Sequence, residues 1–316
     1  MSRSRFLSRG ISRRQLLASL LGVAGSAALI NHFAFGNGTA AAASEAPPES
    51  TVGQGRRILI TGSTAGIGFM TAELLLAQGH RVVLHGRSQQ SMQAARTRLP
   101  GAEGGLVADF GSLSQLRAMA LEANASGAFD VIIHNAAVGY QEPQRLLTED
   151  DLPHVFAINT LAPYVLTALL LPPKRQQYLS SQAHRNARAN TSLDDLLWTR
   201  RAWSGQQAYN ESKLHDTMLA FAMARRWPQV LTTAVNPGWV PTALGGAGAS
   251  DDLSQSHLTQ VWLASSDEPE AMVSGAYFYH MAAGVLNPDV RDVPAQERLL
   301  AACERISGVA MPTLPV

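Results

Sequence analysis

Residues 57–61 (R-I-L-I-T) form a short apolar run rich in β-branched side chains. The stretch Gly62-Ser63-Thr64-Ala65-Gly66-Ile67-Gly68 follows at once, and then a helical pattern over 69–78. Such a run suits a strand buried on both faces of a parallel sheet. The glycines let the backbone turn tightly and approach an anion, while the helix N-terminus offers free N–H groups and the positive end of its dipole. Strand, glycine turn and helix in this order predict a dinucleotide site built by Gly62, Ser63, Thr64, Gly66, Ile67 and Gly68. Three residues separate the first two glycines, so the spacing differs from G-x-G-x-x-G.

Further apolar strands at 81–85, 105–108, 130–134 and 231–235 alternate with helical segments at 113–124, 151–171 and 206–227. This alternation predicts an α/β fold: a doubly wound parallel sheet of Rossmann type, in a single domain over 55–316 with helices on both faces. The strand 81–85 ends in Gly86, Arg87 and Ser88. A carboxylate there would hold the ribose 2′-hydroxyl of NAD and repel a 2′-phosphate. None is present, and the planar fork of Arg87 suits a phosphate, so NADP(H) is preferred over NAD(H). Asp109, followed by Phe110, stands at a strand end where a carboxylate can contact adenine. At the next strand end Asn135 can bridge loops, and Ala136 and Ala137 leave room for a nucleotide.

Tyr209 and Lys213 read Y-x-x-x-K, one helical turn apart, so phenol and ammonium share a helix face. The cation favours the phenolate and draws the phenol down from about 10. Two serines, Ser180 and Ser181, precede this pair. The strand before them, 176–179 (Q-Q-Y-L), is short and polar and follows Pro172-Pro173 closely, which leaves the placement of the serines open.

In combination these residues resemble the short-chain dehydrogenase/reductase family. The matching pieces are T-G-S-T-A-G-I-G at 61–68, D-F at 109–110, N-A-A at 135–137, Asn159 within F-A-I-N-T-L-A-P-Y, Ser181, Tyr209 with Lys213, and P-G-W-V-P-T at 237–242. They occur in the family's order from about residue 55 to 280. The long interval between Ser181 and Tyr209, the run Ser181-Gln182-Ala183-His184 and the later Ser274-Gly275-x-Tyr277-Phe278 resemble the retinol dehydrogenase and protochlorophyllide reductase-like branch. The resemblance implies Tyr209 as acid or base, Ser181 orienting the reacting oxygen, and Lys213 on the nicotinamide ribose. It further implies that Asn159 holds a relay water, that Thr242 meets the carboxamide, and that Pro237 and Gly238 flank the cofactor. It implies a homo-oligomer formed through the Tyr-Lys helix and its neighbour. Ala137 replaces the family's usual glycine, and Asn236 stands where this branch often has histidine.

A formal charge of +1 gives no electrostatic case for nucleic acid. The single cysteine, Cys303, excludes an intrachain disulfide and a cysteine metal cluster, and no H-x-x-x-H spacing occurs, so no metal is expected. A surface place is favoured for His184 over one facing the substrate. The segment 243–262 is expected to form a small substrate lid, mobile over 245–260. Trp239, Leu244 and Trp262 are candidates to line an apolar cavity for a small, bulky carbonyl or alcohol. The first 45 residues carry Arg3, Arg5, Arg9, Arg13 and Arg14 and no acidic residue before Glu45. An apolar stretch reaches about Ile30, and small residues follow. This is the layout of a twin-arginine-type export leader and linker, implying a periplasmic or otherwise exported protein. A membrane anchor and an organellar transit peptide are the competing readings. The leading function is an NADP(H)-dependent oxidoreductase interconverting a carbonyl and an alcohol. The alternatives are reduction of a carbon–carbon double bond and a non-catalytic NADP(H)-binding sensor, although a sensor would be expected to lose the tyrosine or the lysine.

Overall fold

The structure, a computed structural model, describes residues 55–314, so the leader read at 1–45 lies outside the described residues. Eight strands form one sheet in the order β3-β2-β1-β4-β5-β6-β7-β8. In chain order they are β1 (Arg57–Ile60), β2 (Arg81–Gly86), β3 (Gly104–Val107), β4 (Val131–His134), β5 (Arg175–Leu179), β6 (Leu231–Asn236), β7 (Ala276–Tyr279) and β8 (Ala282–Ala283). All pairings are parallel except β7 with β8.

Side chains alternate across the sheet and feed two apolar layers. In β1, Leu59 joins one layer with helices α3 (Leu113–Ala125), α4 (residues 154–169), α6 (Gly205–Arg226) and α8 (Val293–Ser307). Ile58 and Ile60 join the other with α1 (Gly66–Ala77), α2 (Gln89–Arg98) and α7 (Leu258–Ser265). The short α5 (Ala189–Asp194) lies in the long interval before Tyr209. Strand order reverses between β1 and β4. In open parallel sheets that switch point, at the carboxyl ends of the strands, opens a crevice for a ligand.

The polar sequence of β5 is compatible with a wholly buried strand because its side chains find partners on both faces. Arg175 donates to the carbonyls of Leu263 and Ser266, Gln176 Nε2 to Thr232 Oγ1, and Gln177 Nε2 to the Gln260 carbonyl. The Tyr178 hydroxyl bonds Thr167 Oγ1 at 2.6 Å. The strand therefore runs straight into Ser180 and Ser181.

The Tyr-Lys helix α6 is enclosed by its own chain, every residue from Ala208 to Met223 being buried. The long interval before Tyr209 covers part of it. Ser192 Oγ bonds His215 Nε2 at 2.6 Å, Arg201 pairs with Glu211 at 2.7 Å, and Trp198 packs on Ala208.

Candidate active site

The glycine turn is shaped by contacts that a side chain would break. Gly62 has φ +63°, and a Cβ there would meet the backbone of Ala136 at 2.8 Å. At Gly68 a Cβ would meet Asn135 Nδ2 at 2.4 Å and the Gly62 carbonyl at 2.5 Å. These two glycines thus seat the turn against the end of β4. Gly66 differs: its φ is +57° and the space where a Cβ would sit is open. Gly68→Val is expected to destabilise the fold by about 2 kcal/mol or more through overpacking and to abolish dinucleotide binding, as read by thermal melts and cofactor titration.

Ser63 is wholly buried. Its hydroxyl donates to the Ile60 carbonyl and accepts from the His85 N–H, so its side chain clamps β1 to β2 and is turned away from any ligand. Thr64 lies over Gly86, and Ile67 reaches the cleft described below. Ala65 gives α1 no side-chain cap, and the first turn holds no acidic residue. Its leading N–H groups therefore remain available to an anion.

Asn135 donates from Nδ2 to the carbonyls of Thr61 (2.7 Å) and Gly62 (3.0 Å), joining the ends of β1 and β4. Ala136 N–H is held by Thr61 Oγ1. Asp109 is exposed and its Oδ1 accepts from the Gly111 N–H. Phe110 points into the core and stacks on His85 at 4.2 Å, so only its main chain is left for a nucleotide.

Around the end of β2, His85 is a buried brace. Its Nδ1 accepts from the Gly62 N–H and its Nε2 bonds the Ala108 carbonyl, and burial lowers it to about 4, which keeps it neutral. Ser88 caps α2 by accepting from the Ser91 N–H. Arg87 alone is exposed and forms no hydrogen bond or ion pair.

The polar centre lies where β5 meets α6. Ser181 and Tyr209 line the same cleft, the serine hydroxyl near enough to favour ionisation of the phenol, and Ser181 Oγ accepts from the Ala183 N–H. Both serines border the cleft, but Ser180 Oγ is buried, donating to the Lys213 carbonyl at 2.9 Å and bonding Thr217 Oγ1 at 2.7 Å, which leaves the Ser181 hydroxyl as the one free to act beside Tyr209. Lys213 Nζ lies 5.6 Å from the centre of the Tyr209 ring and donates to the Leu179 carbonyl and to Asp216 Oδ2, both at 2.8 Å.

Tyr209 is 9% exposed, and its phenol is raised above its ordinary value. Burial raises it most, Lys213 pulls it down, and Asp216 and Tyr140 push it up. The acidification expected from Y-x-x-x-K is thus outweighed in the protein alone. Burial disfavours any phenolate, and the Asp216 carboxylate offsets the lysine's charge.

Asn159 sits in a π-helical turn, Ala157–Leu161, inside α4. Its Oδ1 accepts from the Val138 N–H, while its Nδ2 donates to the Val138 carbonyl and to Ser212 Oγ; none of these bonds runs to Lys213. Thr242 Oγ1 accepts from the Gly245 N–H, which is a turn-capping role.

A cleft of about 470 Å³ opens over Ser181 and Tyr209, with Pro237, Gly238 and Thr242 on its border. Tyr140, Trp239, Val240 and Leu244 give it apolar lining, and Gln182, Arg185, Asn186, Gln206 and Asn210 give it polar lining. Trp262 lines none of it: 1% exposed, it is buried in α7, which begins at Leu258 and so takes the last quarter of the segment expected to be a lid. The remaining loop is fastened at both ends. The Gly245 carbonyl accepts from Trp239 Nε1 and the Tyr140 hydroxyl, and Asp251 Oδ2 accepts from the Trp239 N–H.

His184 is not on the surface. It is wholly buried, with Nδ1 donating to the Ser181 carbonyl at 2.7 Å and Nε2 accepting from the Asn287 N–H at 3.1 Å, so it braces the serine's main chain in one neutral tautomer. Tyr140, Arg185 and Asp216 also went unmarked in the sequence. Only Asp216 had a signal there, its i, i+3 spacing from Lys213.

A family model described as short chain dehydrogenase matches residues 56–189. The short-chain dehydrogenase chyC of Penicillium rubens is 40% identical over 260 residues, covering 81% of this chain and 99% of that protein. The chain belongs to the short-chain dehydrogenase/reductase family. Human retinol dehydrogenase 13 is 29% identical over 336 residues, covering 96% of this chain and 98% of its own length, in keeping with the branch the motifs resemble. Among solved structures, an uncharacterised protein from Mycobacterium paratuberculosis aligns with a TM-score of 0.70 at 26% identity, over 81% of this chain and 95% of that one. As a short-chain dehydrogenase/reductase the chain is an oxidoreductase whose fold binds a nicotinamide cofactor.

Proposed function

We propose that this protein is an NADP(H)-dependent oxidoreductase that interconverts a carbonyl and an alcohol, with Tyr209 as its acid/base. The observation that carries the reading is that Ser181 and Tyr209 line one cleft, with Lys213 Nζ 5.6 Å from the centre of the tyrosine ring and Ile67 of the glycine turn on the same cleft. The residues present fit a dinucleotide. The uncapped start of α1 and the open space at Gly66 would take the pyrophosphate, Asp109 the adenine end, and Lys213 the nicotinamide ribose. When bound, the nicotinamide supplies or accepts the hydride.

The chain's own groups manage the oxygen. Ser181 donates a hydrogen bond that fixes the carbonyl, and Tyr209 gives its phenolic proton to the same atom. In the opposite direction Tyr209 takes that proton back. Lys213 tempers the cost that burial places on the phenolate, and Asp216 offsets part of that help. Asn159 fixes Val138 and Ser212, the latter adjoining Lys213 in the chain; a water relayed from the opened π-turn to the lysine completes the proton path in this reading.

The mixed lining of the cleft suits a substrate with both apolar and polar parts. Its apolar residues support the expectation of a bulky carbonyl compound, and its polar residues extend it. Arg87 supports the NADP(H) preference, being an exposed guanidinium at the end of β2 with no carboxylate engaging it. Arg87→Asp is expected to weaken NADPH binding roughly 10- to 100-fold, the worth of a charge-assisted hydrogen bond, while NADH binding holds or improves. Parallel fluorescence titrations of the two cofactors measure this; an unchanged ratio would show that the 2′-phosphate is read elsewhere.

A further inference from the structure

Asp216 is a buried carboxylate in contact with the proposed machinery, yet the proposed chemistry gives it no task. Its Oδ2 lies 2.8 Å from Lys213 Nζ, one turn along α6, and the two side chains are 4% and 3% exposed. An ammonium has three donors. The bonds to Asp216 and to the Leu179 carbonyl occupy two and leave one for a ribose hydroxyl. Two fixed bonds also hold the nitrogen beneath Tyr209, two turns from the carboxylate.

The other groups that face this cluster leave its charge unaltered. From β5, Tyr178 lies in the field of Asp216, its hydroxyl tied to Thr167 and its ring stacked on His134, which burial keeps neutral. Ser180 and Thr217 present only hydroxyls. Tyr140, from the loop after β4, and Tyr277 of β7 both face Tyr209. His184 is held neutral by burial and its two hydrogen bonds, and Arg185, across the cleft, acts on Tyr277 and His184. On α6 itself, His215 turns toward Ser192 and Thr160, and Glu211 is engaged by Arg201.

We propose that Asp216 is a positioning residue that holds Lys213 in an internally neutralised pair, so that Tyr209 keeps its proton at neutral pH and the site is set to protonate a carbonyl rather than to deprotonate an alcohol. The inference rests on Tyr209 being the acid/base. Charge counting gives the reason. With Asp216 ionised, deprotonating Tyr209 converts a neutral Tyr–Lys–Asp cluster into a buried net anion. With a neutral residue at 216, the same step converts a buried net cation into a neutral cluster. A low-dielectric surrounding penalises net charge, so Asp216 raises the pH at which the cluster surrenders its proton. The direction found for Tyr209, raised by burial first and by Asp216 among the charges, agrees with this count.

Asp216→Asn keeps the shape and an acceptor for Lys213 while removing the charge. The alkaline limb of kcat for carbonyl reduction is expected to move to lower pH by at least about one unit, a tenfold change in proton affinity, and Asp216→Glu is expected to restore it. A second readout needs neither turnover nor cofactor. In protein labelled with 13Cζ-tyrosine, the resonance that vanishes in Tyr209→Phe should titrate at correspondingly lower pH in Asp216→Asn. A purely structural role for Asp216 would lower stability and leave both titrations in place; that result, in folded variant, overturns the proposal. Wild-type protein provides a test that survives a variant failing to fold, because a Tyr209 resonance already in its phenolate form at about pH 8 also overturns it. Absence of any carbonyl turnover by the wild type would defeat the proposed function instead, and the Tyr209 resonance would still decide the role of Asp216.

Discussion

Tyr209→Phe is expected to lower kcat for carbonyl reduction by about 10²- to 10⁴-fold, the usual worth of a positioned proton donor. The substitution removes one oxygen and keeps the ring that packs near Tyr140, 5.8 Å between centroids, so the cleft retains its shape. Ser181 remains to orient a carbonyl, held by the Ala183 N–H and by the bond from His184 to its main chain. Cofactor affinity should stay within about twofold, because Lys213 and the glycine turn are untouched; uniform binding is kept and only transition-state stabilisation is lost. Steady-state kinetics beside a fluorescence titration of NADPH separates the two. Undiminished turnover in this variant would end the proposed mechanism.

Lys213→Met is expected to cost about 3–5 kcal/mol of folding stability near neutral pH as well as activity, because it leaves Asp216 buried without its counter-ion. Burial raises the Asp216 carboxyl to about 6 even against the pull of Lys213, so it is ionised at neutral pH only through that partner. Without the lysine it rises further. A carboxyl harder to ionise in the folded state than in the unfolded chain takes up a proton on folding, and stability then grows as pH falls. The deficit should therefore be largest above the variant's raised folded value, shrink on acidification, and level off at about 6, where the wild-type carboxyl itself takes up a proton. Urea unfolding of wild type and variant at about pH 5 and about pH 8 measures it. Adding Asp216→Leu to Lys213→Met should recover much of the loss, since an apolar pair needs no desolvated charge. An equal deficit at both pH values would mean that the loss comes from packing alone.

Much of this was legible along the chain because the signals are local. An apolar run, a glycine turn and a helix are neighbours in sequence, so β1, the turn and α1 could be read directly, and the alternation that followed fixed a doubly wound sheet. Element ends shifted by a residue or a few, as at α1, which begins at Gly66. Which serine faces the cleft could not be read, because it depends on how a polar strand satisfies its side chains. Arg175, Gln176 and Gln177 donate to Leu263, Ser266, Thr232 and Gln260, all far away in the chain, while Gln176 Oε1 and Gln177 Oε1 stay buried without a partner. His184 was misjudged for the same reason, since its partner Asn287 lies about a hundred residues on.

The sequence by itself determined the fold class, the order of the nucleotide-binding pieces and the pairing of a phenol with an ammonium on one helix face, because each depends on backbone geometry that repeats every few residues. The tertiary structure alone decided the electrical character of that pair. Burial is a property of everything packed around α6, and it is burial that keeps the Tyr209 proton in place and makes the Asp216 carboxylate a counterweight to Lys213.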